Sequence, residues 1–161
     1  MSIVVPCFNG WRYTNACLRA LAANWDAAIP AEVIVVDDAS TDQTAELLAA
    51  CSGITVLRND ANQGFVGSAN RGAQAARGRY VHFLNNDAFV DEGWLAPLVR
   101  LLEDDDSIGA VVSQLRYPDG TLYEAGAIIW QDGRGSNYGR GQSPKDERYR
   151  YVRDVDYGSA A

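Results

Sequence analysis

At 161 residues, 47% of them apolar, the chain has the size of one domain with a substantial core, and nothing in it approaches the ~18 consecutive apolar residues of a membrane span. Its formal net charge is −7 and 13 of its 14 basic residues are arginines, Lys145 being the exception; with no basic run, a nucleic-acid backbone is excluded as an expected partner. Cys7, Cys17 and Cys51 form no Cys-x-x-Cys and His82 is the only histidine, so zinc-ligand spacing is absent and reduced thiols in a cytoplasmic protein are expected, with peripheral association at the inner membrane face left open.

Ser2 to Val5 reads as a first strand, stopped by Pro6. Cys7-Phe8-Asn9-Gly10 leads into a helix in which Leu18, Leu21, Ala22 and Trp25 keep i, i+3, i+4, i+7 spacing. Pro30 closes that region, and Glu32 to Val36 is a second, β-branched strand ending on Asp37-Asp38. Ser40-Thr41-Asp42-Gln43 has the form of a capping box with Ser40 as N-cap, and Leu47, Leu48 and Cys51 line the inner face of the helix behind it. Ile54 to Leu57 is a third strand. A polar stretch from Asn59 to Gly67 precedes a small-residue helix with Ala69, Ala73 and Ala76 inward and Gly78 as its C′ residue. Tyr80 to Leu84 reads as a strand buried on both faces, ending abruptly on Asn85-Asn86-Asp87, and a helix from about Glu92 carries Leu95, Leu98, Val99 and Leu102. This alternation predicts an α/β fold with a mostly parallel sheet flanked by helices.

After Ser107 the pattern changes. Ile108 to Val112 is an expected strand, and Tyr117-Pro118-Asp119-Gly120-Thr121 is a turn signal that makes a β-hairpin with Leu122 to Trp130. Gln131 to Asp146 reads as a mobile functional loop or a partly disordered stretch, and Tyr151 to Asp156 as one more strand. The chain is expected to be one domain, a βα core over 1–106 followed by the start of an acceptor-side region over 107–161.

Three polar clusters fall at strand ends: Phe8-Asn9, Asp37-Asp38 and Asn85-Asn86-Asp87. In a parallel sheet all three lie on one edge, where open α/β sheets place ligands; the same residues also suit plain turns. Carboxylates gathered there repel one another unless a cation or hydrogen-bond donors intervene. Their hard oxygens suit Mg²⁺ or Mn²⁺, which would also let an acidic chain bind a diphosphate. The Walker-type phosphate loop, the Gly-x-Gly-x-x-Gly turn and the Gly-x-Ser-x-Gly elbow are all absent. His82 reads as a core residue. Trp11, Trp25 and Trp94 read as packing residues, and Trp130, beside the glycine-rich segment, stays open as a sugar platform.

Val4-Val5-Pro6-Cys7-Phe8-Asn9-Gly10, Val35-Val36-Asp37-Asp38-Ala39-Ser40-Thr41-Asp42, Asn62-Gln63-Gly64-Phe65 through Ala69-Asn70-Arg71-Gly72, and Leu84-Asn85-Asn86-Asp87-Ala88 together resemble family 2 glycosyltransferases of the GT-A fold. The Asn-Gln-Gly-Phe and Leu-Asn-Asn-Asp forms look most like a bacterial, rhamnosyltransferase-like branch. The resemblance implies that Asp38 hydrogen-bonds a pyrimidine base, that Pro6 and Phe8 border base and ribose, and that Asn9 shapes the first loop. It implies Asp87 as the metal ligand in an Asp-x-Asp-like motif, with Asn85 or Asn86 facing the ribose, and Gly64 and Asn70 letting the third loop close on the donor. Amides at two of these positions depart from the acidic pattern of the family.

The implied reaction is inverting transfer from a UDP- or dTDP-sugar to a glycan or lipid-linked acceptor hydroxyl in cell-surface polysaccharide synthesis, assisted by a divalent metal. The catalytic base is expected beyond Ala161, since Glu124, Asp154 and Asp156 sit in no such acidic motif. Two alternatives stand beside it: a sugar-nucleotide nucleotidyltransferase, for which residues 6–12 offer only Gly10 and Arg12, and a non-catalytic nucleotide-binding fragment.

Overall fold

The computed structural model describes residues 1–159. Among the described residues the chain separates into two compact units, 1–96 and 97–159.

The first unit is built on a four-stranded, all-parallel sheet in the order β3-β2-β1-β4. The strands are β1 (Ser2–Cys7), β2 (Glu32–Asp37), β3 (Thr55–Arg58) and β4 (Val81–Phe83), separated by the helices α1 (Trp11–Ala23), α2 (Thr44–Ala49) and α3 (Gly64–Ala75). Side chains alternate across a strand, so two cores form, one on each face. Ile3, Val5, Cys7, Val33 and Val35 pack with Cys17 and Leu21 of α1 and Leu48 of α2. Val4, Ile34 and Val36 face the other way, towards Leu57, Ala76 and Phe83. Here α3 lies close on the sheet because Gly72 has no side chain: a Cβ at that position would come within 2.3 Å of Val4 Cγ1.

Pro6 does not stop β1. The strand continues through Pro6, opposite Val36, to Cys7, opposite Asp37. A proline fits in this inner strand because even-numbered residues of β1 direct their backbone groups towards β4: Ser2 N–H donates to Tyr80 O, and Val4 O accepts from Leu84 N–H. By Pro6 the fourth strand has turned away, so the missing N–H has no partner to lose.

Several expected elements differ. The inner face of α1 is Thr14, Cys17 and Leu21, whereas Ala22 is exposed and Trp25 is 42% exposed. The capping box does not form: α2 starts at Thr44, whose N–H is taken by Asp42 Oδ1, while Ser40 is used elsewhere. Gly78 is not the C′ residue of α3; it lets the chain pass the first strand, where a Cβ would meet the Met1 backbone at 2.4 Å. The fourth strand is short and only partly buried, since it lies at the margin of this sheet.

The helix α4 (Leu95–Asp104) begins two residues before the second unit and continues into it. The predicted turn joins β5 (Leu115–Arg116) and β6 (Leu122–Glu124) as an antiparallel hairpin, with Tyr117 N–H donating to Thr121 O. The expected strand Leu122 to Trp130 is broken at Gly126, at φ 81°, where a Cβ would come within 2.3 Å of Val155. It resumes as β7 (Ala127–Ile129), paired antiparallel with β8 (Gly135–Asn137). The supposed loop Gln131 to Asp146 therefore contains a strand and a 2.8 Å Trp130 N–H to Arg134 O bond that closes its turn. Ile108 to Val112 and Tyr151 to Asp156 are not strands; neither has a ladder partner among the described residues, and Tyr157 alone bridges to Ala127. No helix among the described residues is long and apolar enough to cross a membrane.

Candidate functional site

The three polar clusters emerge at the carboxyl ends of β1, β2 and β4, all within the first unit. Strand order reverses at β1, since β2 and β3 lie on one side and β4 on the other, which is the kind of place where α/β sheets open a ligand crevice.

The loops after β1 and β2 are tied to each other by reciprocal hydrogen bonds. Asn9, held at φ 54°, accepts at Oδ1 from the N–H groups of Thr41 at 2.7 Å and Asp42 at 3.2 Å. In return Asn9 N–H donates to Ser40 Oγ and Gly10 N–H to Asp42 Oδ2, each at 2.8 Å. Ser40 is thus a clasp between loops. Asp37, 1% exposed, accepts the Ser40 N–H and forms an ion pair with Arg58, which also donates to Ser40 O. Phe8 projects from this scaffold at 50% exposure, while Pro6 is buried in the strand beneath.

Asp38 is 4% exposed and holds a second set of donors. Its Oδ1 accepts the Asn59 side-chain amide at 2.6 Å and the Gln63 N–H at 2.8 Å; Oδ2 accepts the Gly64 N–H at 2.9 Å. The carboxylate therefore caps α3 from the end of β2, taking the Gln63 N–H and sharing the Gly64 N–H with the local acceptor Asn62 Oδ1. Burial alone would raise the pKa of Asp38, but the donors from Gln63, Asn59, Ser68 and Gly64 outweigh it and hold it below the ordinary carboxylate value. Gly64, at φ 70°, makes the tight entry into α3, and Asn70 lies exposed on that helix.

Sequence reading missed Asn59 and Arg71. Asn59 is 4% exposed and links Asp38 to Ser68 Oγ, while Arg71 donates to Arg58 O and to Asn59 Oδ1. Arg58-Asn59 is a fourth polar pair at a strand end, the same signal that marked the other three.

Beyond β4, Asn86 donates its amide to Thr14 Oγ1 at 3.0 Å, and Asn85 O accepts from Ala88 N–H and the Cys17 thiol. These contacts fix the turn, two of them onto the buried positions Thr14 and Cys17 of α1. Burial pushes the Cys7 and Cys17 thiols up to about 12, with Asp37 and Asp87 respectively adding to it, so neither is a thiolate nucleophile at neutral pH. Of Asp37, Asp38 and Asp87, only Asp87 is exposed. No group of three His, Cys, Asp or Glu side chains among the described residues converges on a metal ion. The donor set therefore does not make a protein cage. It does fit the mode in which one carboxylate, water and ligand phosphates share Mg²⁺ or Mn²⁺.

In the second unit Glu124 is fully buried, with its two oxygens accepting Ser159 N–H and Ser159 Oγ–H at 2.7 Å each. Asp156 accepts the Ile129 N–H, and Asp154 is exposed.

A family model described as Glycosyl transferase family 2 matches residues 2–154. The glycosyltransferase GlyG of Streptococcus pneumoniae is 27% identical over 129 residues, covering 76% of this chain and 42% of that protein. Among solved structures, the mannosyltransferase PcManGT from Pyrobaculum calidifontis, in complex with GDP-Man and Mn²⁺, aligns with a TM-score of 0.66 and 26% identity over 73% of this chain and 36% of that one. Staphylococcus aureus TarS 1–349, in complex with UDP-GlcNAc, shares the fold with a TM-score of 0.59 and 24% identity, over 73% of this chain and 38% of that one. The chain thus spans less than half the length of these proteins. With a parallel sheet of GT-A type and a family match along nearly its whole length, the chain belongs to glycosyl transferase family 2.

Proposed function

We propose that this chain is the donor-binding part of a glycosyltransferase that takes a UDP- or dTDP-linked sugar and serves inverting transfer to a glycan or lipid-linked hydroxyl in cytoplasmic polysaccharide assembly. The observation that carries the reading is the pair of interlocked loops after β1 and β2, together with the turn after β4 that is fixed to α1, which leave Phe8 and Asp87 exposed at the carboxyl ends of these strands. Phe8 offers an apolar face for the base or ribose, and Pro6 stiffens the strand beneath it. Asp38, already engaged by Asn59, Gln63, Gly64 and Ser68, would offer what acceptor capacity remains on its carboxylate to an imino N–H of uracil or thymine. Asn9, Gly64 and Asn70 shape the loops around the donor, and Asn85 and Asn86 border the ribose.

Asp87 would hold Mg²⁺ or Mn²⁺ against the diphosphate. The cation would supply Lewis-acid stabilisation of the leaving group. The internal donors already offset Asp37 and Asp38, so Asp87 is the carboxylate of the three clusters left for this task. No catalytic base is assigned within this chain: Glu124 already accepts from Ser159 with both oxygens, and Asp154 and Asp156 sit in no acidic motif of the kind the family resemblance implies. The Asn62-Gln63-Gly64-Phe65 and Leu84-Asn85-Asn86-Asp87 forms support the rhamnosyltransferase-like branch.

Calorimetric titration with UDP, dTDP and GDP, each with Mn²⁺ and with EDTA, tests the reading. Tighter binding of UDP or dTDP in Mn²⁺ is expected, and no binding of any of the three would overturn it. Binding without sugar transfer to any acceptor by the full-length protein would favour the non-catalytic alternative.

A further inference from the structure

The second unit holds an aromatic side chain that neither the fold nor the donor reading uses. Trp130 follows β7 at the tip of the β7–β8 hairpin and is 54% exposed. Leaving so large an apolar ring half in water forgoes burial that a core position would have provided. The ring is nevertheless not loose. Its Nε1–H donates to Ser136 Oγ on the opposite strand at 2.6 Å, and its backbone is closed on both sides of the turn: Trp130 N–H to Arg134 O and Gly133 N–H to Trp130 O, each at 2.8 Å. With the one polar atom of the indole turned into the hairpin, the surface it offers to solvent is apolar.

Beside it, Arg134 and Asp132 form a fixed pair, Nε to Oδ2 at 2.8 Å, on the same turn. Arg134 is 83% exposed and Asp132 half-exposed, so both present remaining donors and acceptors outward. A pre-oriented aromatic face flanked by polar hydrogen-bonding groups matches a sugar ring. The C–H bonds on one face of a pyranose carry slight positive charge and suit the negative face of an indole, and the hydroxyls at its rim need donors and acceptors. A protein partner fits less well, because a protein interface needs roughly 800 Å² per side around an apolar centre, and the exposed apolar side chains here are Trp130 and its neighbour Ile129, in a turn otherwise of polar, charged and glycine residues.

From this geometry we propose that Trp130 is a stacking platform for a pyranose ring of the acceptor saccharide, with the Asp132–Arg134 pair hydrogen-bonding its hydroxyls. The proposal rests on the glycosyltransferase reading for its ligand class, and its test is independent of the donor. Trp130 positions substrate and takes no part in bond making.

The test is an NMR titration of the ¹⁵N-labelled chain with methyl glycosides of glucose, galactose, mannose, rhamnose and N-acetylglucosamine. At least one is expected to shift the Trp130 indole N–H together with the Asp132 and Arg134 amides. Trp130→Ala should weaken that binding about tenfold, and Trp130→Phe, which keeps a ring, by less. The absence of any indole shift across the panel, or unchanged amide shifts in Trp130→Ala, would overturn the proposal. UDP with Mn²⁺ added to the same samples separates the two readings. Nucleotide binding without glycoside binding sinks the platform alone, whereas glycoside binding without nucleotide binding sinks the donor reading and leaves the platform standing.

Discussion

Asn59 donates its side-chain amide to Asp38 Oδ1 over 2.6 Å, joining the ends of β3 and β2 inside a buried network that also receives the start of α3. Removing either partner strands buried polar groups. Asn59→Ala and Asp38→Asn should each cost about 1–3 kcal/mol, read from urea unfolding. The Asp38 carboxylate is held below its ordinary value of 3.8, so the unfolded chain binds its proton first on acidification. Its stabilisation is complete above that value and is lost as pH falls through the folded one. Asp38→Asn should flatten this acid limb, and an unchanged limb would contradict the assignment.

His82 gives a second pH dependence in a different window. Burial pushes its pKa down from 6.5 to about 4, and its ring packs edge-on against Trp94 with centroids 4.9 Å apart. The unfolded chain takes up this proton near 6.5 while the folded chain resists until about 4, so stability is full above 6.5 and declines between those values on acidification. As the only histidine, it can be followed directly by NMR. A titration midpoint near 6.5 in the folded protein would show that the ring is solvated.

Gly72→Ala tests the packing of α3 on the sheet. The added Cβ would fall 2.3 Å from Val4 Cγ1 and 3.2 Å from Val36 Cγ2, so helix or strand must move. Although alanine favours helix, the substitution should destabilise by about 1–3 kcal/mol. A gain in thermal midpoint would mean that the helix stands farther off than described.

Asp87→Ala should abolish any difference between UDP binding in Mn²⁺ and in EDTA while leaving the unfolding midpoint nearly unchanged, because the side chain is exposed. Asn86→Ala is the contrasting variant. It removes the 3.0 Å bond to Thr14, which is buried, and should lower stability along with nucleotide affinity. Equal metal dependence in Asp87→Ala and the unmodified chain would refute the metal assignment.

Asp38→Asn offers one more comparison, of base selectivity. A carboxylate accepts the imino N–H of uracil or thymine but cannot donate to the acceptor ring nitrogen N3 of cytosine. UDP should therefore outcompete CDP on the unmodified chain, and the preference should narrow in the variant. Equal competition on the unmodified chain would remove Asp38 from base recognition.

The parallel α/β class was legible in the residues alone, because strands buried on two faces leave near-continuous apolar runs that end on polar residues, as in Val33 to Asp38. The sequence also marked the three strand-end clusters and the Tyr117–Thr121 turn, whose chemistry is local. What it could not show were relationships between distant positions. Ser40 has the spacing of a cap, yet a partner 31 positions away in sequence, Asn9, takes its hydroxyl, and Asp38 caps a helix 26 positions further on. Pro6 looked like a stop because nothing local reveals that β4 ends before reaching it. Ile108 to Val112 has strand composition but no ladder partner among the described residues, while the glycine-rich run around Gly135 has poor composition and gains one in β7. A strand is completed by its neighbour's hydrogen bonds, so tertiary structure decides between them.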